Sequence, residues 1–282
     1  MVTSVTSRNG RDARRHKRGV ALVAAAFTLV SVGAATTTSG CRARFGNMLS
    51  RSDEVELGRQ VKRNVEHQNR LVRDPAVNER MQRIADRIFA QARKDFDVPY
   101  EVKVIDKKEV NAFALPGGPI YFYKGLIDLA ESDDEIAAVL GHEATHVSKR
   151  HTGRQISDAQ GKSTLAQLLL GRAGNVANFF ANVAFSLDQL KYSRDDETQS
   201  DEIGFRYLTQ AGYDPHAMAS FFRKMEKKAR GGGGPEWLNS HPLTRKRIEA
   251  AEKRANEYVA RTGASPMTGT PAELVPSGGP AR

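Results

Sequence analysis

Apolar residues recur every three or four positions along two early segments. These run from Asp53 to about Arg73 and from Pro75 to Lys94, where Val77, Met81, Ile84 and Ile88 stand among charges. That spacing predicts two amphipathic helices. The period then shortens. Tyr100 to Ile105, Asn111 to Leu115 and Ile120 to Tyr123 are alternating or β-rich runs, and Pro116-Gly117-Gly118-Pro119 is a turn sequence that would set the last two against each other. From Ser132 the pattern is helical almost to Arg261, with breaks expected near Gly153, Gly171 to Gly174, Gly212 to Pro215 and Gly231 to Pro235. The expectation is an α+β fold, mostly α-helical, with a small β-sheet. One continuous domain should span 53–261, followed by a disordered tail at 262–282.

The first 40 residues follow a different pattern. A basic stretch ending in Arg14-Arg15-His16-Lys17-Arg18 precedes an apolar run from Val20 to Ala35 and then small polar residues, the layout of an export signal. The run is followed by Ser39-Gly40-Cys41, which holds the chain's one cysteine. Ser-Gly-Cys resembles the end of a bacterial lipobox, although Thr38 stands where that pattern usually has Leu. The expectation is lipidation of Cys41 and a short linker over 41–52. An ordinary cleaved signal and an uncleaved N-terminal anchor are the alternatives. Arg14-Arg15 lacks the residues that follow a twin-arginine pair. With no second cysteine the exported chain forms no internal disulfide, so an oxidising compartment poses it no pairing problem.

Composition narrows the function classes. Half of the formal charge of +10 lies in that N-terminal stretch, where six Arg and Lys face Asp12 alone. The remaining surplus is spread over the rest of the chain with no aromatic-interleaved basic stripe, so nucleic acid is not expected as a partner.

The chemistry centres on His142-Glu143-Ala144-Thr145-His146. Residues four apart lie on one face of a helix, so both imidazoles can reach one zinc ion, while Glu143 on the adjacent flank can take a proton from a metal-activated water. Ser132 and Glu135 form a candidate capping box, and Ile136, Val139, Leu140 and Val147 supply an apolar face, which puts the motif on a helix. Two surface histidines spaced by accident are the bland alternative.

A catalytic zinc has three protein ligands and one open position. Lys149 and Thr152 occupy the places where a metzincin would have its glycine and third histidine, and His151 is one residue out of register, off the ligand face. Glu197 is the first glutamate after Glu143, with Asp158 and Asp188 as shorter candidates. Glu197 lies at the opening of another expected helix that runs to about Ala211. Asp201 sits one turn further on the same face, where it could orient a ligand histidine through its second ring nitrogen. Both acids could instead stabilise the helix start.

The HExxH helix, followed about fifty residues later by Ser193-Arg194-x-x-Glu197-x-x-x-Asp201, resembles a zinc metallopeptidase family of gluzincin type. That family includes the HtpX heat-shock protease, the CAAX prenyl proteases and lipid-anchored or periplasmic envelope proteases. Asn111 to Gly118 resembles the family's strand and turn before the active-site helix, and His241-Pro242 with Arg247 resembles its late His-Pro segment. The resemblance covers approximately 53–258. It implies a zincin-like metallopeptidase fold with one Zn2+ per chain. His142, His146 and Glu197 would be ligands, Glu143 the general base, and Asp201 the acid behind a ligand histidine. His241 and Arg247 would face the cleft and stabilise the tetrahedral oxyanion. For His241, capping a structural loop or filling the open metal position in a latent enzyme are alternatives.

Asn111, Ala112, Phe113, Gly117 and Gly118 are candidate substrate-binding residues, because an unfolded peptide could add to the outer strand there with little sequence preference. Core packing is the competing role for Phe113, Ile120 and Phe122. Thr164 to Leu190 is the most apolar stretch after the signal, but Arg172 and the Gly171 to Gly174 break cut it too short to span a bilayer. Helices forming a cleft wall or lid are expected there, with membrane or partner contact as the alternative. The expected whole is an exported zinc endopeptidase on the periplasmic side of a bacterial membrane, with the outer membrane favoured. It would be anchored through Cys41 and would cut unfolded or misassembled envelope proteins. A chaperone-like assembly factor with a latent zinc site, and a purely structural zinc protein, are the competing classes.

Overall fold

The computed structural model describes residues 49–160, 191–231 and 234–263. The expected export signal, Cys41, most of the linker, the Thr164 to Leu190 segment and the tail lie outside the described residues.

Helix α1 (Arg51–Gln68) starts at a full capping box: Ser50 Oγ accepts from the Asp53 amide, and the Asp53 carboxylate accepts from the Ser50 amide. It ends five residues before the expected Arg73. There the chain turns extended, Leu71 bridges to Ile105, and the Val72 amide donates to the Val104 carbonyl. Helix α2 (Pro75–Asp95) has Asp74 as N-cap and Pro75 in its first turn, where a missing N–H costs nothing.

Strands β1 (Glu101–Ile105), β2 (Ala112–Ala114) and β3 (Pro119–Tyr123) form one sheet in the order β1-β3-β2. Strand β1 is parallel to β3, and β2 is antiparallel to β3 through the expected turn. Because strand side chains alternate, the sheet feeds two cores. Ala112, Ala114, Ile120 and Phe122 face the main core. Phe113, Tyr121 and Tyr123 join Leu57, Val61 and Val65 of α1 on the other face.

A short α3 (Lys124–Leu129) leads to α4 (Asp133–Ser148), the central helix, in which every residue from Glu135 to Ser148 is buried. A helix buried all round must be covered on every side. Helix α2, strand β2, α6 (Arg194–Gln210) and α7 (Ala217–Arg230) pack on it. The capping box expected at its start is half realised. Ser132 Oγ accepts from the Glu135 amide, but the Glu135 carboxylate turns to the Glu131 amide, Ser220 and Lys224. Helix α5 (His151–Gln160) follows α4 directly. Short α8 (Trp237–Ser240) and α9 (Arg245–Thr262), closed by Gly263 in the left-handed conformation, complete the described chain. It is mostly helical with one small sheet, compatible with a zincin-like fold.

The break expected near Gly153 falls earlier, between α4 and α5, where Arg150 takes a φ of 60°. Gly153 lies inside α5 for a steric reason. A Cβ there would come within 2.4 Å of Glu54 Oε1, so the glycine makes room for the buried carboxylate.

The contact that governs the site is between two other glycines. Where α4 crosses α6, a Cβ on Gly141 would lie 2.8 Å from the Gly204 carbonyl oxygen, and one on Gly204 would lie 2.8 Å from the His142 amide nitrogen. Only glycine at both positions lets the helices approach so closely. Substituting Gly204→Ala should therefore destabilise the fold by about 1–3 kcal/mol. It should also weaken metal binding, because His142 would be levered away from α6. A thermal melt and a zinc titration of the purified variant check both effects.

Candidate metal centre

Helix α4 presents His142, Glu143 and His146. Helix α6, opened by a Ser193–Asp196 capping box, presents Glu197 and Asp201 one turn apart. The Gly141–Gly204 contact brings the two sets together. His142, His146, Glu197 and His241 form a buried group whose ligand atoms all lie within 4.8 Å of one another. Of the shorter candidates, Asp158 is exposed and outside the group, and Asp188 lies outside the described residues.

Hydrogen-bond chemistry fixes where the ring protons are. His142 Nδ1 is 3.1 Å from Asp201 Oδ1. A carboxylate only accepts, so Nδ1 carries a proton, and in the neutral ring that a metal requires Nε2 is a bare lone pair. His146 Nδ1 is 3.0 Å from His151 Nδ1. His151 Nε2 lies 2.8 Å from Gln199 Oε1 and donates to it, which leaves His151 Nδ1 to accept from His146. His146 Nε2 is then bare as well. These two bare nitrogens face each other at 3.2 Å, with Glu197 Oε1 3.5 Å from His146 Nε2 and Glu197 Oε2 3.7 Å from His142 Nε2. Two lone pairs so placed repel, and a proton or a metal cation between them relieves the repulsion. Zn–N bonds of 2.0–2.1 Å in tetrahedral geometry would hold two nitrogens roughly 3.3 Å apart. The donor set therefore fits zinc.

Glu143 lies outside the group but beside it. Trp237 Nε1 donates to its Oε1 at 3.0 Å, and its buried Oε2 has no hydrogen-bond partner. Burial raises the Glu143 carboxyl above the ordinary carboxylate range, against the pull of His241 and His142. Burial acts the same way on Glu197, but His241 and His142 outweigh it and hold that carboxyl well below its usual value. For Asp201 burial is outweighed by Arg247, and the net shift is downward. Burial pushes His146 well below the usual imidazole value. For His142 the opposing effect of burial is overcome by Asp201 and Glu197, and the net shift is upward.

His241 is buried in the group itself. Its Nδ1 is 2.9 Å from Glu197 Oε1 and 3.2 Å from His142 Nε2. Its ring lies between two aromatic faces, stacked on Trp237 at 4.6 Å and on Tyr192 at 5.0 Å between centroids. Tyr192 also covers His146 at 3.7 Å. The expectation that Arg247 faces the cleft as an oxyanion donor does not match its contacts. Its Nε and Nη2 both donate to Asp201 at 2.7 Å, and its Nη1 lies 2.6 Å from Glu197 Oε2 and donates to the Pro242 carbonyl. The guanidinium is taken up by the two acids behind the metal group and the chain beside them, so its geometry is that of a positioning residue.

The candidate substrate-binding residues divide. Ala112 and Phe113 lie in β2, the outer strand, while Gly117 and Gly118 take φ values of 71° and 133° in the turn and pack against Glu54, Val55 and Pro99. Phe113 stacks on Tyr121 in the core beneath the sheet. Asn111 is buried, and its side chain accepts from the Ala112 amide. Sequence reasoning missed Trp237, Tyr192 and the pair His151–Gln199. Trp237 is the chain's one tryptophan and stands four residues before His241, a signal that was available.

The model of peptidase family M48 matches residues 73–255. The chain is 32% identical over 224 residues to a putative beta-barrel assembly-enhancing protease of Vibrio cholerae, covering 76% of this chain and 46% of that protein. It is 28% identical over 257 residues to the beta-barrel assembly-enhancing protease of Escherichia coli, covering 86% and 53%. It is 31% identical over 175 residues to the mitochondrial metalloendopeptidase OMA1 of Schizosaccharomyces pombe, covering 61% and 51%. The chain thus spans about half the length of the curated relatives it matches.

If Arg247 positions Asp201 and Glu197, Arg247→Ala should lower zinc affinity tenfold or more. It should also cost about 3–5 kcal/mol of stability, by leaving buried carboxylates unpaired. Chelator competition and denaturant unfolding measure the two. Reduced turnover with both quantities unchanged would instead put the guanidinium on the reacting carbonyl.

Proposed function

Because the chain belongs to peptidase family M48, we propose that it is a zinc-dependent endopeptidase that hydrolyses peptide bonds in cell-envelope proteins, with damaged or misassembled proteins as substrates. The observation that carries this reading is the convergence of His142, His146 and Glu197 at one point with Glu143 beside them. Zinc held there supplies Lewis acidity, polarising a carbonyl and acidifying water. The protein's own part falls to Glu143. Trp237 fixes one of its oxygens, and the unpartnered Oε2 is free to take a proton and deliver it to the leaving amine.

Strand β2 supports the substrate side. It is the edge of the sheet, and the register pairs Phe113 with Tyr121 inward, so Ala112 and Ala114 turn their backbone N–H and C=O groups outward. A peptide added to that edge would be held by main-chain bonds, which accounts for broad specificity. Among the described residues no helix is long and apolar enough to cross a membrane. We place the chain in the lipid-anchored or periplasmic branch of the family, attached through Cys41 to the periplasmic side of a membrane, with the outer membrane favoured.

A second reading is favoured by His241. A fourth donor within reach of Glu197 and His142 describes a closed, latent site, as in a chaperone-like assembly factor that binds more than it cuts. His241→Ala separates the roles. Cleavage of an unfolded protein should rise if His241 closes the site and fall if it assists the reaction.

The central test is Glu143→Gln. The variant should bind zinc as the unaltered protein does and lose cleavage of an unfolded protein by about 10²–10⁴-fold. A chelator should abolish cleavage by the unaltered protein. Cellular function that survives Glu143→Gln would remove hydrolysis as the explanation of the protein's role.

A further inference from the structure

On an uninterrupted helix His151, five residues beyond His146, would point roughly 140° away from it. The chain does not continue that way. Helix α4 stops at Ser148, and Arg150 adopts a φ of 60°, a left-handed backbone that a non-glycine residue takes only when its surroundings hold it. Here α1 holds it. Glu54 Oε1 accepts from Arg150 Nε at 3.0 Å, and Arg150 Nη2 donates to the Leu49 carbonyl. The reversal returns His151, fully buried, to a position where its Nδ1 is 3.0 Å from His146 Nδ1.

The other side of His151 meets only acceptors on α6. Its Nε2 is 2.8 Å from Gln199 Oε1 and 3.6 Å from Asp196 Oδ1. The proton is therefore on Nε2, and Nδ1 can only accept. It takes the His146 Nδ1 proton, with the Ser200 hydroxyl further off at 3.5 Å. The opposite arrangement would place the His146 proton on Nε2 and remove the lone pair that a metal needs.

We propose that His151, itself oriented by Gln199, is a positioning residue that fixes the tautomer and ring orientation of His146 for metal binding. The two ligand histidines are then held by different means. His142 is held by a carboxylate backed by Arg247, and His146 by a neutral imidazole backed by a neutral amide. A physical reason for the difference is the local charge. Glu143, Glu197 and Asp201 already crowd this interior, and the further buried acid on this side, Asp196, stands one ring further out, 3.6 Å from His151 Nε2, where Arg154 pairs with it.

The inference rests on the reading that this group binds zinc, so the test measures zinc affinity directly, by competition between the full chain and a chromophoric chelator. His151→Phe keeps an aromatic ring of similar size but offers no acceptor, and it should bind zinc at least tenfold more weakly. His151→Asn restores an acceptor near the Nδ1 position and should recover most of that loss, which a packing role would not allow. Gln199 is exposed, so its variants test the relay even if His151→Phe fails to fold. Gln199→Leu should weaken zinc binding severalfold, and Gln199→Glu, which still accepts, should not. Wild-type affinity in both His151→Phe and Gln199→Leu, or no recovery in His151→Asn, would overturn the relay alone. An unaltered protein that binds no zinc would overturn the metal reading and the relay with it.

Discussion

Three carboxylates, Glu143, Glu197 and Asp201, are buried around one point with a single buried guanidinium, Arg247, to balance them among the described residues. With the histidines neutral, the cluster has an excess of two negative charges, which a low-dielectric interior does not hold unpaired. A divalent cation between His142, His146 and Glu197 closes that count. Burial is the main cause of the upward shift of Glu143, and the charge of Glu197 adds to it. Of the three acids it is the one with the fewest partners, a single hydrogen bond from Trp237, and burial drives it toward its neutral form. Arg247 is effectively permanent charge, and it is placed behind Glu197 and Asp201, not in front of them. Arg247 and the histidines hold the acids ionised, while Glu197 Oε1 lies toward His146 and His241 and Asp201 Oδ1 supports the His142 ring.

The backbone meets this constraint with two local devices. One is the glycine-on-glycine crossing of α4 and α6, which lets Asp201 reach His142 and Glu197 reach both imidazoles within a few ångströms. The other is the reversal at Arg150, which lets a residue beyond the end of α4 return to its ligand face. Both devices depend on α1 or α6 being correctly placed, so the metal group is the product of tertiary packing as much as of the motif on one helix. The mostly buried central helix is the consequence. A helix that carries the reactive residues and touches α2, β2, α6 and α7 cannot shift without disturbing all of them.

The parts legible in the sequence were those set by local period and spacing. The HExxH helix, the Glu197 and Asp201 pair on one face, the Pro-Gly-Gly-Pro turn and the antiparallel pairing of β2 with β3 all follow from intervals of two to four residues. His151 lies outside the metal group, as its register against a metzincin pattern implies, but its return to a place beside His146 is not legible from spacing, because Arg150 leaves the right-handed helix under the hold of Glu54, almost a hundred residues earlier. The break assigned to Gly153 was misplaced for a related reason. That glycine is required by the Glu54 side chain packed on it, not by a turn. Arg247 was legible as a member of the site but not in its direction, since nothing in its spacing tells whether a guanidinium faces acids behind the metal or the space in front of it.

The same separation bears on how a buried site admits a peptide. His142, Glu143, His146, Glu197 and Asp201 are each no more than 4% exposed, and the outward groups of the edge strand are already engaged, Ala112 N–H by Asn111 and the Ala114 carbonyl by Thr152. The interactions that close the site differ in kind from those that build it. His241 is held by stacking on Trp237 and Tyr192 and by a hydrogen bond to Glu197, and the edge strand is capped by neutral side chains. Stacked pairs and neutral hydrogen bonds contribute about 0.5–1.5 kcal/mol each and a hydrogen bond to a carboxylate about 1.5–3 kcal/mol, so displacing them costs several kcal/mol, a cost that the main-chain bonds of an added strand would offset in part. The ion pairs of Arg247 and the helix crossing at Gly141 and Gly204 belong to a stiffer set, and breaking a buried pair costs about 3–5 kcal/mol. The contacts that cover the site, those of the His241 segment among them, are thus weaker than the contacts that fix His142, His146 and Glu197 relative to one another.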